Sequence, residues 1–328
     1  MLLAVLSKYL FCQDIHFSQF YAAPQLLNPA NTGNINGNWR LSNIYRNQWK
    51  SLNIPFTTIS IGFDKKITLN TDYIGIGLNV IDDKAASTTI KSDKVNLSFS
   101  YTKVLGFNQL HYGIQVGYVF KNSKLNGMTF PSQFDMSNGY FNSDFQNDDP
   151  LINEQISYFD LHSGLLWSAI FKRMKLETGV ALYHLNRPDE AYISGTSKLP
   201  VRKVFHGNLR AKLSKKFAFV PQFMFVNHKR ANNLIAGSNL EYLFATNNIK
   251  LKNVYIGCYA RDGYERNTDA VFFVAGLNIA HFDIGVSYDL NVSQLKTATS
   301  NKGAFEISLI YNSPVSFLNK TAIPCNLY

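Results

Sequence analysis

The residues of this 328-residue chain best suited to chemistry are seven histidines, at positions 16, 111, 162, 184, 206, 228 and 281, and three cysteines, at 12, 258 and 325. Zinc and its neighbours are usually announced by Cys and His at short, recurrent spacings. Here the histidines fall on separate elements, there is no HExxH run, and the cysteines are far apart, so neither a metal site nor a disulfide framework is expected. Ser163 follows His162 and raises the idea of a hydrolase, but neighbours on a strand face opposite sides and cannot act as nucleophile and base. The acidic, Asn-rich loop 135–149 invites calcium, yet it misses the D-x-[DN]-x-[DN]-G ligand pattern, and a solvated loop is expected. Gly75 and Gly77 lie inside an alternating stretch, where small inward residues explain them without a phosphate loop. No catalytic residue, cofactor or metal ligand is assigned, and the protein is not expected to be an enzyme.

The elements that would position any site are strands. From Leu110 to Phe120, Leu110, Tyr112, Ile114, Val116, Tyr118 and Phe120 alternate with His111, Gly113, Gln115, Gly117 and Val119. Period two places the apolar set on one face and the mostly small or polar set on the other. The run has about the length that crosses a bilayer as a tilted strand. Fourteen such segments are predicted: 39–49, 56–67, 73–81, 94–105, 110–120, 156–171, 174–186, 201–213, 217–228, 233–245, 251–261, 270–280, 281–290 and 303–312. Connections after every second strand are short, as at Thr68–Asp72, Gly106–Gln109 and Lys172–Arg173, whereas those between are mostly long, as at Leu125–Gln155 and Arg187–Pro200. That alternation, with an even strand number, marks a bacterial outer-membrane barrel with short periplasmic turns, so both termini are expected in the periplasm.

Composition agrees. Mean hydropathy is close to zero, as expected when lipid-facing and lumen-facing residues cancel, and 25 Phe with 18 Tyr suit two interfacial girdles. The net charge of +10 does not indicate nucleic-acid binding, because Lys and Arg gather on no single arm. The short turns carry Lys65, Lys66, Lys172, Arg173, Lys215, Lys216 and Lys250, a basic rim suited to anionic lipid heads or an acidic partner, while the long loops are acidic. Inward charges of both signs are predicted at Asp64, Asp160, His162, Glu177, Arg210, Lys212, Glu241, Arg261, Asp283, Asp289 and Glu306, and these are expected to pair across the lumen rather than to form a one-sign selectivity ring.

Outside the barrel, residues 1–12 read as a secretory signal, shortened and without a basic start. Phe11 is too bulky for Cys12 to sit in a lipidation motif. Residues 13–38, punctuated by Pro24, Pro29, Gly33 and Gly37, form a periplasmic arm or a plug, residues 39–312 the barrel, and 313–328 a periplasmic tail.

Several motifs stand in order: QDIHFSQFYAAPQLLNPANTG (13–33), YRNQW (45–49), GIGL (75–78), LPVRKVFHGN (199–208), SYDLNVSQL (287–295), GAFEISLIY (303–311) and AIPCNLY (322–328), the last with Asn326 where Pro is usual. Through them the chain resembles the PorP/SprF family of the type IX secretion and gliding machinery of Bacteroidota. The resemblance implies a non-enzymatic outer-membrane barrel that supports export or surface attachment of adhesins and other cargo bearing a C-terminal sorting domain. It also implies association with periplasmic components of the machinery. Candidate partner-binding residues are His16, Phe17, Phe20, Tyr21, Asn28 and Pro29 near the start and Cys325 and Tyr328 at the end, with closure of the barrel mouth as their alternative role. The competing function is a channel for small or hydrophobic solutes.

Overall fold

The computed structural model describes residues 15–48, 55–85, 90–123, 131–142, 144–145, 155–191, 196–229, 231–244, 250–263, 268–293 and 301–314. Fourteen antiparallel strands close into a barrel. They are β1 (Trp39–Gln48), β2 (Phe56–Leu69), β3 (Asp72–Ala85), β4 (Ile90–Leu105), β5 (Asn108–Ser123), β8 (Gln155–Ile170), β9 (Met174–Tyr183), β10 (Arg202–Lys212), β11 (Phe217–His228), β12 (Ala231–Leu243), β13 (Leu251–Asp262), β14 (Thr268–Ile279), β15 (Phe282–Asn291) and β16 (Lys302–Asn312). The long connection between β5 and β8 carries a small hairpin, β6 (Phe134–Asp135) and β7 (Tyr140–Phe141), which the alternation did not predict. The first and last strands seal the cylinder, in register from Arg40 opposite Asn312 to Gln48 opposite Ala304. Closure leaves no row of unpaired backbone groups, which is what a lipid environment requires.

Alternation is realised as predicted. On β5, Tyr112 is 50% exposed and His111 0%. In a lone barrel the exposed set is the lipid-facing set. Its outward band is edged by aromatics. Trp39 and Tyr311 (5.0 Å between ring centroids), Phe282 and Phe217 stand near the short-turn end, and Tyr118 against Phe159 (5.1 Å) near the other. Short turns join the strands at one rim, here called the turn side. Asn70 (φ 50°), Gly106 (φ 62°) and Ala280 (φ 54°) supply the positive φ that such tight hairpins need.

Two departures from the predicted boundaries have clear causes. Strands β3 to β5 run on past the apolar band at the loop side, where their outward face turns charged and Lys91 pairs with Asp82 (3.0 Å) and Asp93 (2.9 Å). Ladder hydrogen bonding continues there although the hydrophobic pattern has stopped. Conversely β9 ends at Tyr183 rather than near residue 186, because His184 (φ 59°) and Arg187 (φ 46°) take left-handed conformations ahead of Pro188.

Candidate functional site

Residues 15–38 lie inside the barrel. They descend from its loop-side half to the turn-side rim through two short 3-10 turns and α1 (Pro24–Leu27). Proline at the first position of two of these turns, Pro24 and Pro29, matches its fixed φ to a helical start. Asn28 caps the second by accepting from the Ala30 N–H at 2.9 Å. Such a segment leaves many backbone groups without helix or ladder partners, and the barrel wall satisfies them. Glu306 accepts from the Ser18 N–H (2.6 Å) and the Gln19 N–H (2.8 Å), Asp64 accepts from the Gly33 N–H (2.7 Å), Ser100 donates to the Thr32 carbonyl (2.5 Å), and Tyr183 donates to the Leu26 carbonyl (2.7 Å). Asn28 also donates to the Leu165 carbonyl at 3.0 Å. The approach is close enough to dictate wall composition. A β-carbon on Gly113 would stand 2.3 Å from the Ala30 nitrogen, and one on Gly164 would stand 2.0 Å from Asn28 Oδ1.

Most of the predicted inward charges pair, along the wall between near strands rather than across the lumen, while Asp283 accepts from the Tyr255 hydroxyl instead. Arg40 donates through Nε and Nη2 to both Asp64 oxygens (2.9 and 2.8 Å). Arg46 donates to Glu306 and lies 3.5 Å from Asp289, and Arg261 reaches Asp289 at 3.1 Å. Ser18 stands at the centre of this second network, donating to Asp289 and accepting from Arg46 and Arg261. Arg210 pairs with Glu241 at 2.6 Å. Lys212 departs from the expectation and is exposed near the turn side. Arg40 and Arg46, which sequence reasoning passed over, carry much of the pairing, and their place on alternate positions of a strand was the available signal. Each buried charge is costly alone and tolerable only with its partner and hydrogen bonds.

Phe20 packs on a second, apolar portion of the wall formed by Tyr183, Val204, Met224, Ile235, Tyr259 and Phe272, with the Tyr259 and Phe272 rings stacked at 5.0 Å. Strands β11 to β14, which supply much of this portion, are accordingly partly apolar on both faces. Above the segment, toward the loops, a cavity of about 660 Å³ remains. Its floor includes His16, Phe17, Phe20, Ala23, Leu26 and Leu27, and its walls carry Arg46, Arg202, Arg261, Asp83, Asp289 and His228 among apolar residues.

The structure therefore brings His16, Phe17 and Phe20 together at the cavity floor, with Phe17 and Phe20 buried and His16 half-buried. Tyr21 is half-buried with its ring 6.4 Å from that of Tyr259, and Asn28 and Pro29 are buried against the wall. None of these six is offered to solvent at the turn side. Cys12, Cys325 and Tyr328 lie outside the described residues, as does the signal segment. A further cluster, Asp160, His162 and His184, converges on the lumen wall, and neither motif nor spacing revealed it.

A closed antiparallel barrel of fourteen strands with a lipid-facing apolar band and an occupied lumen is an outer-membrane protein. The family model for the type IX secretion system membrane protein PorP/SprF matches residues 10–311, and the chain belongs to that family. No curated protein matches the sequence closely enough to count as a relative. Among solved structures, the CymD monoaromatic hydrocarbon channel superposes with a TM-score of 0.53 at 10% identity, covering 89% of this chain and 93% of that one. The Pseudomonas putida toluene transporter TodX gives 0.51 at 8% identity, covering 88% and 92%. At such identities the likeness shows the fold alone.

Proposed function

We propose that the protein is a non-enzymatic component of the type IX machinery, supporting export or surface attachment of large adhesin-like cargo that carries a C-terminal sorting domain. The observation that carries this reading is the lumen segment. It is bound to the wall by buried carboxylates and backbone groups around the barrel, so the cylinder is a filled platform rather than an open pore. In this reading the turn side and both termini face the periplasm. The basic turns meet anionic lipid heads or acidic machinery, and Cys325 and Tyr328 belong to the tail on that side. Cargo approaches from the loop side, where His16, Phe17 and Phe20 form the floor it would meet, while Tyr21, Asn28 and Pro29 hold that floor in place.

A second reading, a channel for small hydrophobic solutes, is favoured by one observation, the loop-side cavity with its partly apolar floor. The hydrocarbon-channel likeness adds fold but no substrate. One pair of measurements separates the two. The purified protein in liposomes should show no solute-driven swelling, and deletion of its gene should abolish surface display of a sorting-domain adhesin. Swelling above that of empty liposomes, combined with unchanged display in the deletion strain, would overturn the export reading and establish the channel.

A further inference from the structure

Two residues apart on β8, Asp160 and His162 share the lumen face. His184 follows the end of β9, the neighbouring strand, and its left-handed backbone (φ 59°) is uncommon for a residue with a β-carbon. There its Nδ1 lies 2.7 Å from Asp160 Oδ2, and its backbone N–H donates to His162 Nδ1 at 3.2 Å. Asp160 is 2% exposed, and its Oδ1 has no hydrogen-bond partner among the described residues. That oxygen lies 3.6 Å from His162 Nδ1, too far for a hydrogen bond. One ligand atom from each of the three side chains lies within 4.8 Å of the other two. A cavity of about 40 Å³ adjoins them, large enough for an ion or a water completing its shell.

We infer that Asp160, His162 and His184 form a binding site for a divalent transition-metal ion, with zinc as the reference ion. Two imidazoles and one carboxylate suit zinc, cobalt or nickel, and a donor set this rich in nitrogen does not suit calcium or magnesium. Ligands of tetrahedral zinc stand roughly 3.4 Å apart, given bonds near 2.0 to 2.1 Å. No pair of groups thus has to close by more than about 1.4 Å, and the His184–Asp160 pair at 2.7 Å has to open slightly, both within reach of side-chain rotation. Lys94 and Arg202 line the same small cavity. Their charge opposes a cation held by electrostatics alone and leaves affinity to the imidazole bonds, which sharpens the selectivity against calcium. Bound metal would staple the start of the 184–201 connection to β8 at the loop-side end of the lumen. His228, whose ring centroid lies 6.1 Å from that of His184, stands close enough to supply a further donor.

The test uses the full chain without a histidine tag, purified in detergent and stripped with a chelator. Cobalt(II) added to it should give a ligand-field absorption band that zinc abolishes, with zinc bound at one per chain. His162→Ala combined with His184→Ala should weaken zinc binding by an order of magnitude or more, and Asp160→Asn should weaken it while preserving the shape of the side chain. His281→Ala, altered at the opposite rim, should bind like the parent. Heat-modifiable migration on a denaturing gel verifies that each variant keeps its barrel. Equal zinc affinity in the parent and the folded double variant overturns the inference. So does the absence of a cobalt band in the parent, a result that needs no variant to fold.

Discussion

Arg46 concentrates the physics of the lumen in one side chain. Its guanidinium serves Glu306, Asp289 and Ser18, all buried, so its loss strips fully buried Glu306 of its guanidinium partner and leaves Asp289 to Arg261 alone. Arg46→Met should lower folding stability by about 3 to 5 kcal/mol, read as a fall in the urea midpoint of the lipid-reconstituted barrel. Adding Glu306→Gln to it should cost less than the sum of the two single changes, because the second removes a charge already stranded. A midpoint unchanged in Arg46→Met would mean that the carboxylates are not carrying charge. At this scale sequence reasoning found the acids and the bases Arg210 and Arg261, but missed the two arginines of the first strand. Asp64, Asp289 and Glu306 stand out as polar interruptions of apolar strands, whereas Arg40 and Arg46 share one face of a first strand that is polar on both faces, so their alternation is a weak signal.

The element that gives the lumen its character is the segment 15–38. Because the wall beside it is built of glycine, Gly113→Val should push Pro29 and Ala30 away, since a β-carbon there already stands at 2.3 Å from backbone. The amides of Gly33 and Ser18, held by Asp64 and Glu306, should exchange slowly in the parent. They should exchange faster in Gly113→Val, as hydrogen–deuterium exchange with mass spectrometry would read, while the strand amides of β3 and β4 keep their protection. Equal protection in both proteins would show that the segment moves as a rigid unit without loss of contacts. The sequence signalled this segment by its Pro and Gly punctuation and left open whether it hangs free or enters the barrel. That choice depends on Asp64, Glu306, Ser100 and Tyr183, which lie far away in the chain and meet it only once the cylinder has closed.

At the scale of the whole molecule, two consequences follow from a closed wall and an occupied interior. Removing residues 15–31 should turn the barrel into a conductor. Liposomes carrying the shortened, still heat-modifiable protein should swell in small sugars, while those carrying the intact protein should not. Trp39 and Trp167 should report the turn-side interface. With Trp49 replaced by Phe, lipids brominated near the head group should quench the remaining fluorescence more than lipids brominated at the chain end. The Trp167 indole, donating to Asn108 Oδ1 at 3.2 Å beside an apolar ring face, is placed for such a boundary.

By itself the sequence determined the number of strands, their approximate limits, the alternation of solvents on their two faces and the unequal rims. All of these are local, set by period two and by turn residues within a few positions. Only the tertiary structure decided what fills the cylinder. The path of residues 15–38, the pairing of Arg46 with Glu306 and the meeting of Asp160 with His184 join positions from about twenty to nearly three hundred residues apart. No periodicity encodes such distances. They are fixed when β1 pairs with β16 and every inward side chain is left to find its partner in one small enclosed volume.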